Sequence, residues 1–492
     1  MEKPMDDKYE LFIGGEWVKG KKGKTYQTFS PINGELLAEC VDASKEDVDR
    51  AVQAAWKAFA TWKKTSAQER CAILYKIADI VEANVPKLAM IDTLEMGKPI
   101  RETTYVDIPI NAETFRYFGS AIRVDEGRAV MLDEDTLSII LKEPIGVVAA
   151  ITPWNFPFGL TTWKIATALA AGCTMVLKSS SETSLSMLEF MKMISAVVPP
   201  GVINLVTGKG STTGQYLIDH PDIRKLAFTG STEIGYCIAA AASKKLAPAT
   251  LELGGKSANI YFSDINWEKA IDGVHLGILF NQGQCCSAGS RVFVHEDIYD
   301  KFLADCVTAF NKVKVGDPLN METQMGALVN ETQLKKVLNY VEIGKKEGAR
   351  VACGGYRVTD GDLAKGCFMR PTILADVTNN MRVAREEIFG PVACFIKFKT
   401  EEEVIAMAND SDFGLGGAVW TKDINRAIRV CRGIETGRMW VNCYHAFPVH
   451  APWGGVKKTG IGRENHLMAL DAYREVKSIL ISLSESKSGF YL

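Results

Sequence analysis

The spacing of apolar residues divides the chain into regions. Between 44 and 125 it is helical: Ser44-Lys-Glu-Asp47 opens a segment carrying Val48, Val52, Ala55, Trp56 and Phe59, and Ser66 with Glu69 forms a capping box ahead of Leu74, Ile77 and Ile80. Before it, 10–40 reads as short strands. From 145 to 262, short apolar runs (146–152, 174–178, 203–207, 225–229, 257–262) alternate with helical stretches (158–170, 184–196, 212–218, 232–242). Such alternation implies crossovers between parallel strands, hence a doubly wound α/β sheet. Ligands of these sheets bind at the carboxyl ends of the strands, where Pro153-Trp154-Asn155, Lys178 to Ser181 and Thr229-Gly230-Ser231 fall. A second α/β region runs from about 256 to 455, with helices near 297–312 and 331–347, and Val476 to Leu483 has strand propensity.

With 492 residues the chain holds two or three cores, at roughly 100–200 residues per domain. A net charge of −2 argues against nucleic acid or an anionic membrane surface as the main partner. Met1 to Glu10 lacks the apolar core of a signal peptide, and no run approaches the roughly 18 apolar residues of a membrane span. A cytoplasmic protein is expected. The twelve cysteines show no CxxC spacing, so neither a metal site nor a disulfide framework is expected, and only Cys285 and Cys286 lie close together.

Phe280-Asn-Gln-Gly-Gln-Cys-Cys-Ser-Ala-Gly-Ser-Arg291 places that pair just after a glycine turn, where backbone amides can approach a sulfur. A Cys-Cys pair serves either as two packed thiols or as a nucleophile with its neighbour. Leu251-Glu-Leu-Gly-Gly-Lys256 sets a carboxylate between apolar residues, as either a salt-bridged strand end or a base. Further along stand Pro153-Trp-Asn-Phe-Pro157, Phe228-Thr-Gly-Ser-Thr232, Glu387-Ile-Phe-Gly-Pro391, Pro452-Trp-Gly-Gly455 and Gly460-Ile-Gly-Arg-Glu464.

In this order, with Glu252 placed 34 positions before Cys286, these motifs resemble the aldehyde dehydrogenase family over essentially the whole chain. The resemblance implies a Rossmann-type cofactor domain (1–123 and 143–255), a second α/β catalytic domain (256–455) and a small β oligomerisation arm (124–142 and 472–492), with assembly as a homodimer or homotetramer. It implies an oxidoreductase that turns an aldehyde into a carboxylic acid with NAD(P)⁺. Cys286 matches the nucleophile. Asn155 and the Cys286 backbone N–H match the oxyanion donors, and Glu252 matches the base that activates water to hydrolyse the thioester. Cys285 is then a pocket wall.

For the cofactor, the resemblance points to Trp154, Lys178, Ser181, Gly214, Phe228, Gly230, Ser231, Leu253, Glu387 and Phe389. Gly208-Lys-Gly-Ser-Thr-Thr-Gly214 is one residue too long in its last gap for a GxGxxG fingerprint. The family instead sets the pyrophosphate at Ser231 and the start of the following helix, and Glu387 on the nicotinamide ribose. NAD-preferring members carry a glutamate where this chain has Ser181, so a 2′-phosphate meets no carboxylate there and NADP is the expected cofactor, with NAD accepted. The neighbouring Glu182 is the residue that a small shift would bring in.

The same resemblance sketches a substrate pocket from Phe158, Leu160, Trp163, Phe280, Cys285, Ser287, Phe447 and Trp453, aromatic and apolar. Trp163 stands where succinate-semialdehyde enzymes carry an arginine, which argues against that substrate. Trp163, Phe280 and Trp453 also suit a quaternary ammonium, and Ala451-Pro-Trp-Gly-Gly455 resembles betaine-aldehyde members. A CoA-acylating relative would lack the Glu252 base, and a non-catalytic protein on the same fold would have no need of Cys286, Glu252 and Asn155 together. A cysteine protease needs an imidazole partner that the histidine placement does not offer.

Overall fold

A computed structural model describes residues 3–491. Its first helices begin at the predicted caps. Ser44 and Asp47 exchange side-chain and backbone hydrogen bonds at the head of Lys45–Trp62, and Ser66 and Glu69 do the same for Ala67–Ala83. Each box satisfies two amide groups that a helix start would otherwise leave bare.

Two large sheets carry the molecule. The first has eight strands, with a parallel centre ordered Ala249–Glu252, Lys225–Thr229, Val147–Ile151, Thr174–Lys178, Ile203–Val206, and antiparallel edges. Val147 and Ala149 face one hydrophobic cluster and Val148 and Ala150 the other, so this strand is buried on both sides. Chain order runs outward from Val147–Ile151 in one direction, then returns to its other side at Lys225–Thr229. The switch point therefore lies between these two strands, at Pro153-Trp154-Asn155 and Gly230-Ser231.

One strand differs from the sequence expectation. The apolar run at 257–262 is not the last strand of this sheet; Ala258–Tyr261 lies inside the second sheet, between Arg291–His295 and Gly416–Trp420. The place beside Lys225–Thr229 goes to Ala249–Glu252, a short strand ending on a charge and so silent to a search for apolar runs. The second sheet has seven strands, all parallel except at the Arg350–Cys353 edge.

Arg128–Met131, Thr136–Pro144 and Arg474–Ser482 form a separate antiparallel sheet, with Arg474–Ser482 along one edge. Before reaching it, the chain returns to the first sheet. Gly460–Ile461 pairs with Ala249–Glu252, and Trp453 and Glu464 bond backbone to backbone at 2.8 and 2.7 Å. The two late glycine motifs are thereby brought to Glu252. No described helix is long and apolar enough to cross a membrane.

Candidate active site

Three loops meet at the carboxyl ends of the first sheet: the turn after Val147–Ile151, the loop after Ala249–Glu252, and the turn Phe280–Gly283 with the residues that follow. The last is wound tightly. Asn281 and Gln282 have φ of 51° and 54°, and Gly283 follows at 69°. Left-handed backbone costs a non-glycine residue about 1–2 kcal/mol, so the surroundings must hold it. Asn281 donates its side-chain amide to Asn155 O at 2.8 Å and Gln284 O at 3.0 Å, and Gln284 Oε1 accepts from Val329 N at 3.0 Å. Gly283 is obligatory because a Cβ there would overlap the Gly390 carbonyl, and a Cβ on Gly255 would overlap the carbonyl of Cys286. The loop of Glu252 is thus packed against the backbone of Cys286.

Cys286 and Leu160 form a wall shared by two pockets. On one side lies an apolar cavity lined by Leu160, Trp163, Phe280, Cys285, Ser287, Phe447 and Trp453. Phe158 is a correction. It is fully buried, its ring 5.0 Å from Phe190 in the hydrophobic core, and Phe156 lines the cavity instead. The helix Pro157–Ala171 explains this: Leu160 and Trp163, three apart, share a face, whereas Phe158 is two residues from Leu160 and turns away.

On the other side of Cys286 lies a more polar groove with Trp154, Asn155, Gly230, Ser231, Glu252, Leu253, Glu387 and Phe389. Ser231 caps the helix Thr232–Lys245, whose first N–H groups and dipole suit an anion. Glu387 accepts from Gly255 N at 2.9 Å, and Trp154 meets Phe389 edge to face at 5.2 Å. The remaining expected cofactor residues lie elsewhere. Phe228 is in the core beneath Gly230, where a Cβ would strike its ring, rather than on the groove wall. Lys178 is buried, donating to Ser179 O at 2.8 Å, with Gly214 alongside, and burial pulls its pKa down to about 8. Ser181 lines a second groove with Lys209, Glu182 and Arg357.

The electrostatics follow from burial. Glu252 is buried, and among the described residues neither carboxylate oxygen has a hydrogen-bond partner. Burial, then the charge of Glu464, hold its pKa well above the ordinary carboxylate range. Glu464 is itself tied to Lys164 at 2.5 Å, both fully enclosed. The Cys285 thiol beside it, then burial, hold the Cys286 thiol above the usual range. Burial also raises Glu387, against the pull of the Gly255 amide.

Several lining residues carry no signal in sequence. Lys98, Asp92 and Asp107 lie some 180 positions before the cysteines yet line the cavity, with the Lys98 ammonium 2.7 Å from Asp107 and 4.2 Å above the Phe156 ring. Gln333 and Lys336 join the polar groove. His445 enters this region, but it meets Ser287 rather than a cysteine. His445 Nδ1 lies 3.5 Å from Ser287 Oγ, which is 3.3 Å from Cys285 Sγ; burial lowers its pKa to about 3, leaving the ring neutral and poorly basic.

A family model described as the aldehyde dehydrogenase family matches residues 17–479. Aldehyde dehydrogenase B of Escherichia coli strain K12 is 47% identical over 491 residues, covering 98% of this chain and 96% of the relative. The structure of an aldehyde dehydrogenase from Bacillus cereus in complex with NAD⁺ superposes with a TM-score of 0.95 at 42% identity, covering 98% of each chain. That of betaine aldehyde dehydrogenase from Staphylococcus aureus, also with NAD⁺, gives 0.96 at 37% identity, covering 99% and 97%. The chain belongs to the aldehyde dehydrogenase family: it oxidises aldehydes to carboxylic acids with a nicotinamide cofactor, through an acyl group held on a cysteine and released by water.

Proposed function

We propose that Cys286 is the nucleophile, Asn155 an oxyanion donor and Glu252 the hydrolytic base. The position of Cys286 in the wall between an apolar cavity and a polar groove containing Glu252 carries this reading. An aldehyde in the cavity meets the sulfur from one side and water from the groove meets the acyl carbon from the other. The Asn155 amide has two hydrogens; one donates to Gln284 O at 2.9 Å, and the other remains for the developing oxyanion with the Cys286 backbone N–H. When bound, the nicotinamide accepts the hydride. Glu252, buried and without a hydrogen-bond partner among the described residues, takes the proton from the attacking water once ionised. Acid quench of Glu252→Gln during turnover, followed by peptide mass mapping, should find the acyl group on Cys286. An adduct at Cys285 would reverse the assignment.

The preferred cofactor in this reading is NADP. Ser181 and the exposed Lys209 share a groove, where Glu182 accepts from Asn330 Nδ2 at 3.0 Å. The substrate class is an apolar or aromatic aldehyde. Asp92 and Asp107 in the cavity lining would favour a cationic one, but Lys98 offsets their charge. Strand Arg474–Ser482 exposes Val476 and Leu480, a fitting seam for a second copy in a homodimer or homotetramer, which sedimentation velocity would measure. With its cysteines unpaired, the chain suits a reducing cytoplasm.

A further inference from the structure

We infer that Glu102 is a positioning residue that holds the nucleophile loop in register with the mouth of the substrate cavity. The inference rests on the roles proposed for Cys286 and Asn155. Glu102 ends the short helix Ile100–Glu102 and leads into a π-helical turn, Thr103–Asp107. Such turns are uncommon and concentrate at functional sites. This one supplies Val106 and Asp107 to the cavity, while Glu102, Val106 and Phe280 line the outer groove next to it. The turn therefore stands where a substrate passes.

The Glu102 carboxylate reaches across to the catalytic loop and accepts from the backbone N–H of Asn281 at 3.1 Å. Asn281 is the first of the loop's three consecutive left-handed residues. Its side chain holds both the Asn155 and Gln284 carbonyls, and the Asn155 amide holds the Gln284 carbonyl in turn. One carboxylate thus fixes the amide plane from which the oxyanion donor and the turn before Cys286 are both hung. A buried Asn281 backbone without an acceptor would be free to relax from its strained φ, and the loop with it. Glu102 touches neither substrate nor sulfur; it acts through Asn281.

The experiment compares Glu102→Leu, which removes the acceptor, with Glu102→Gln, which keeps an oxygen at the same reach. Single-turnover hydride formation, KM for the cofactor and melting temperature are read together. Loss of a hydrogen bond of this class should slow the Leu variant's burst about tenfold or more, with cofactor KM unchanged, while Gln stays within about threefold of wild type. A wild-type burst in Glu102→Leu overturns the inference, as does equal slowing in both variants with a matching fall in melting temperature. If Glu102→Leu does not fold, hydrogen exchange in the wild type decides: a protected Asn281 amide supports the inference, and one exchanging at the rate of an open loop overturns it. Cys286→Ala run alongside keeps the two readings apart, since turnover in that variant would dispose of the proposed nucleophile whatever Glu102 does.

Discussion

The two pockets that share Cys286 are built on opposite principles. On the substrate side, Trp163, Phe280, Phe447 and Trp453 line the cavity together with Cys286, and the buried Lys98–Asp107 pair there is already satisfied. On the cofactor side, among the described residues, Glu252 has no hydrogen-bond partner and Glu387 accepts from one backbone amide. An apolar wall binds by excluding water, whereas a buried unpaired carboxylate pays for its burial by becoming a stronger base. The sulfur needs both: a dry face for the aldehyde and a basic face for release of the acid. Substitutions on the polar side should therefore change rate constants, and those on the apolar side should change substrate preference.

Cys286→Ala tests the shared wall itself. Aldehyde oxidation should fall below about a thousandth of wild type, while cofactor binding, followed by fluorescence quenching, persists. Glu252→Gln comes next. The first-turnover burst should survive while steady turnover drops ~10²–10⁴-fold. In the wild type, deacylation should rise with pH as the buried carboxyl ionises. Stability has the opposite sign. Because the folded pKa lies above the unfolded one, the contribution of Glu252 is full below the ordinary carboxylate range and is lost as pH rises through the buried value. The Gln variant has no such loss, so its melting temperature should gain on the wild type's as pH increases. A constant difference across pH would mean that Glu252 is already ionised in the folded protein.

Ser181→Glu probes the far end of the cofactor side. A carboxylate about 4 Å from a 2′-phosphate, at an effective dielectric near 20, would oppose it by about 4 kcal/mol before solvent reduces the figure. One or two kcal/mol remaining shifts the NADP⁺/NAD⁺ ratio of kcat/KM roughly five- to thirtyfold towards NAD⁺. An unchanged ratio would separate Ser181 from the ribose and leave Lys209 or Glu182 to set the preference.

How far these pockets were legible in sequence depends on how each residue arrives there. Asn155 and Cys286 are reached in sequence only through the family resemblance of the local motifs that hold them; glycine and proline mark the backbone there without saying what the side chains do. Phe156 and Phe158 flank Pro157 at the end of one motif, yet the helix phase that separates them begins between them, and ring chemistry alone does not fix that boundary. Lys98, Asp107 and Glu102 come from a helical segment far upstream; only tertiary packing brings Lys98 and Asp107 to the cavity and Glu102 to the Asn281 amide. Ala249–Glu252 is absent from the apolar runs, because four residues ending in a glutamate carry too little apolar pattern to register, although a strand end at Glu252 is one of the readings its motif allows.

The smallest effect expected, and the one that most sharpens the contrast, is at Cys285. Its side chain lines the apolar cavity and contacts Ser287 Oγ, so by position it belongs to the substrate side. Electrostatically it belongs to the other, because its sulfur is the first cause of the raised Cys286 thiol, ahead of burial and of the charges on Glu387 and Glu252. Cys285→Ala removes both influences at once, and they are read by different measurements. Loss of a small cavity-lining side chain should change KM across a series of aldehydes by a few-fold, an apolar contact of this size being worth about 1 kcal/mol. Loss of the neighbouring sulfur should move the pH dependence of Cys286 alkylation to lower pH, since one of the groups that raises the thiol is gone while burial and the nearby carboxylates remain. If the KM pattern changes and the alkylation profile stays in place, Cys285 is wall alone. A profile that moves with KM values unaltered would make it a tuning group for the nucleophile, and the division between a binding side and a reacting side would then run through the cysteine pair rather than along the wall.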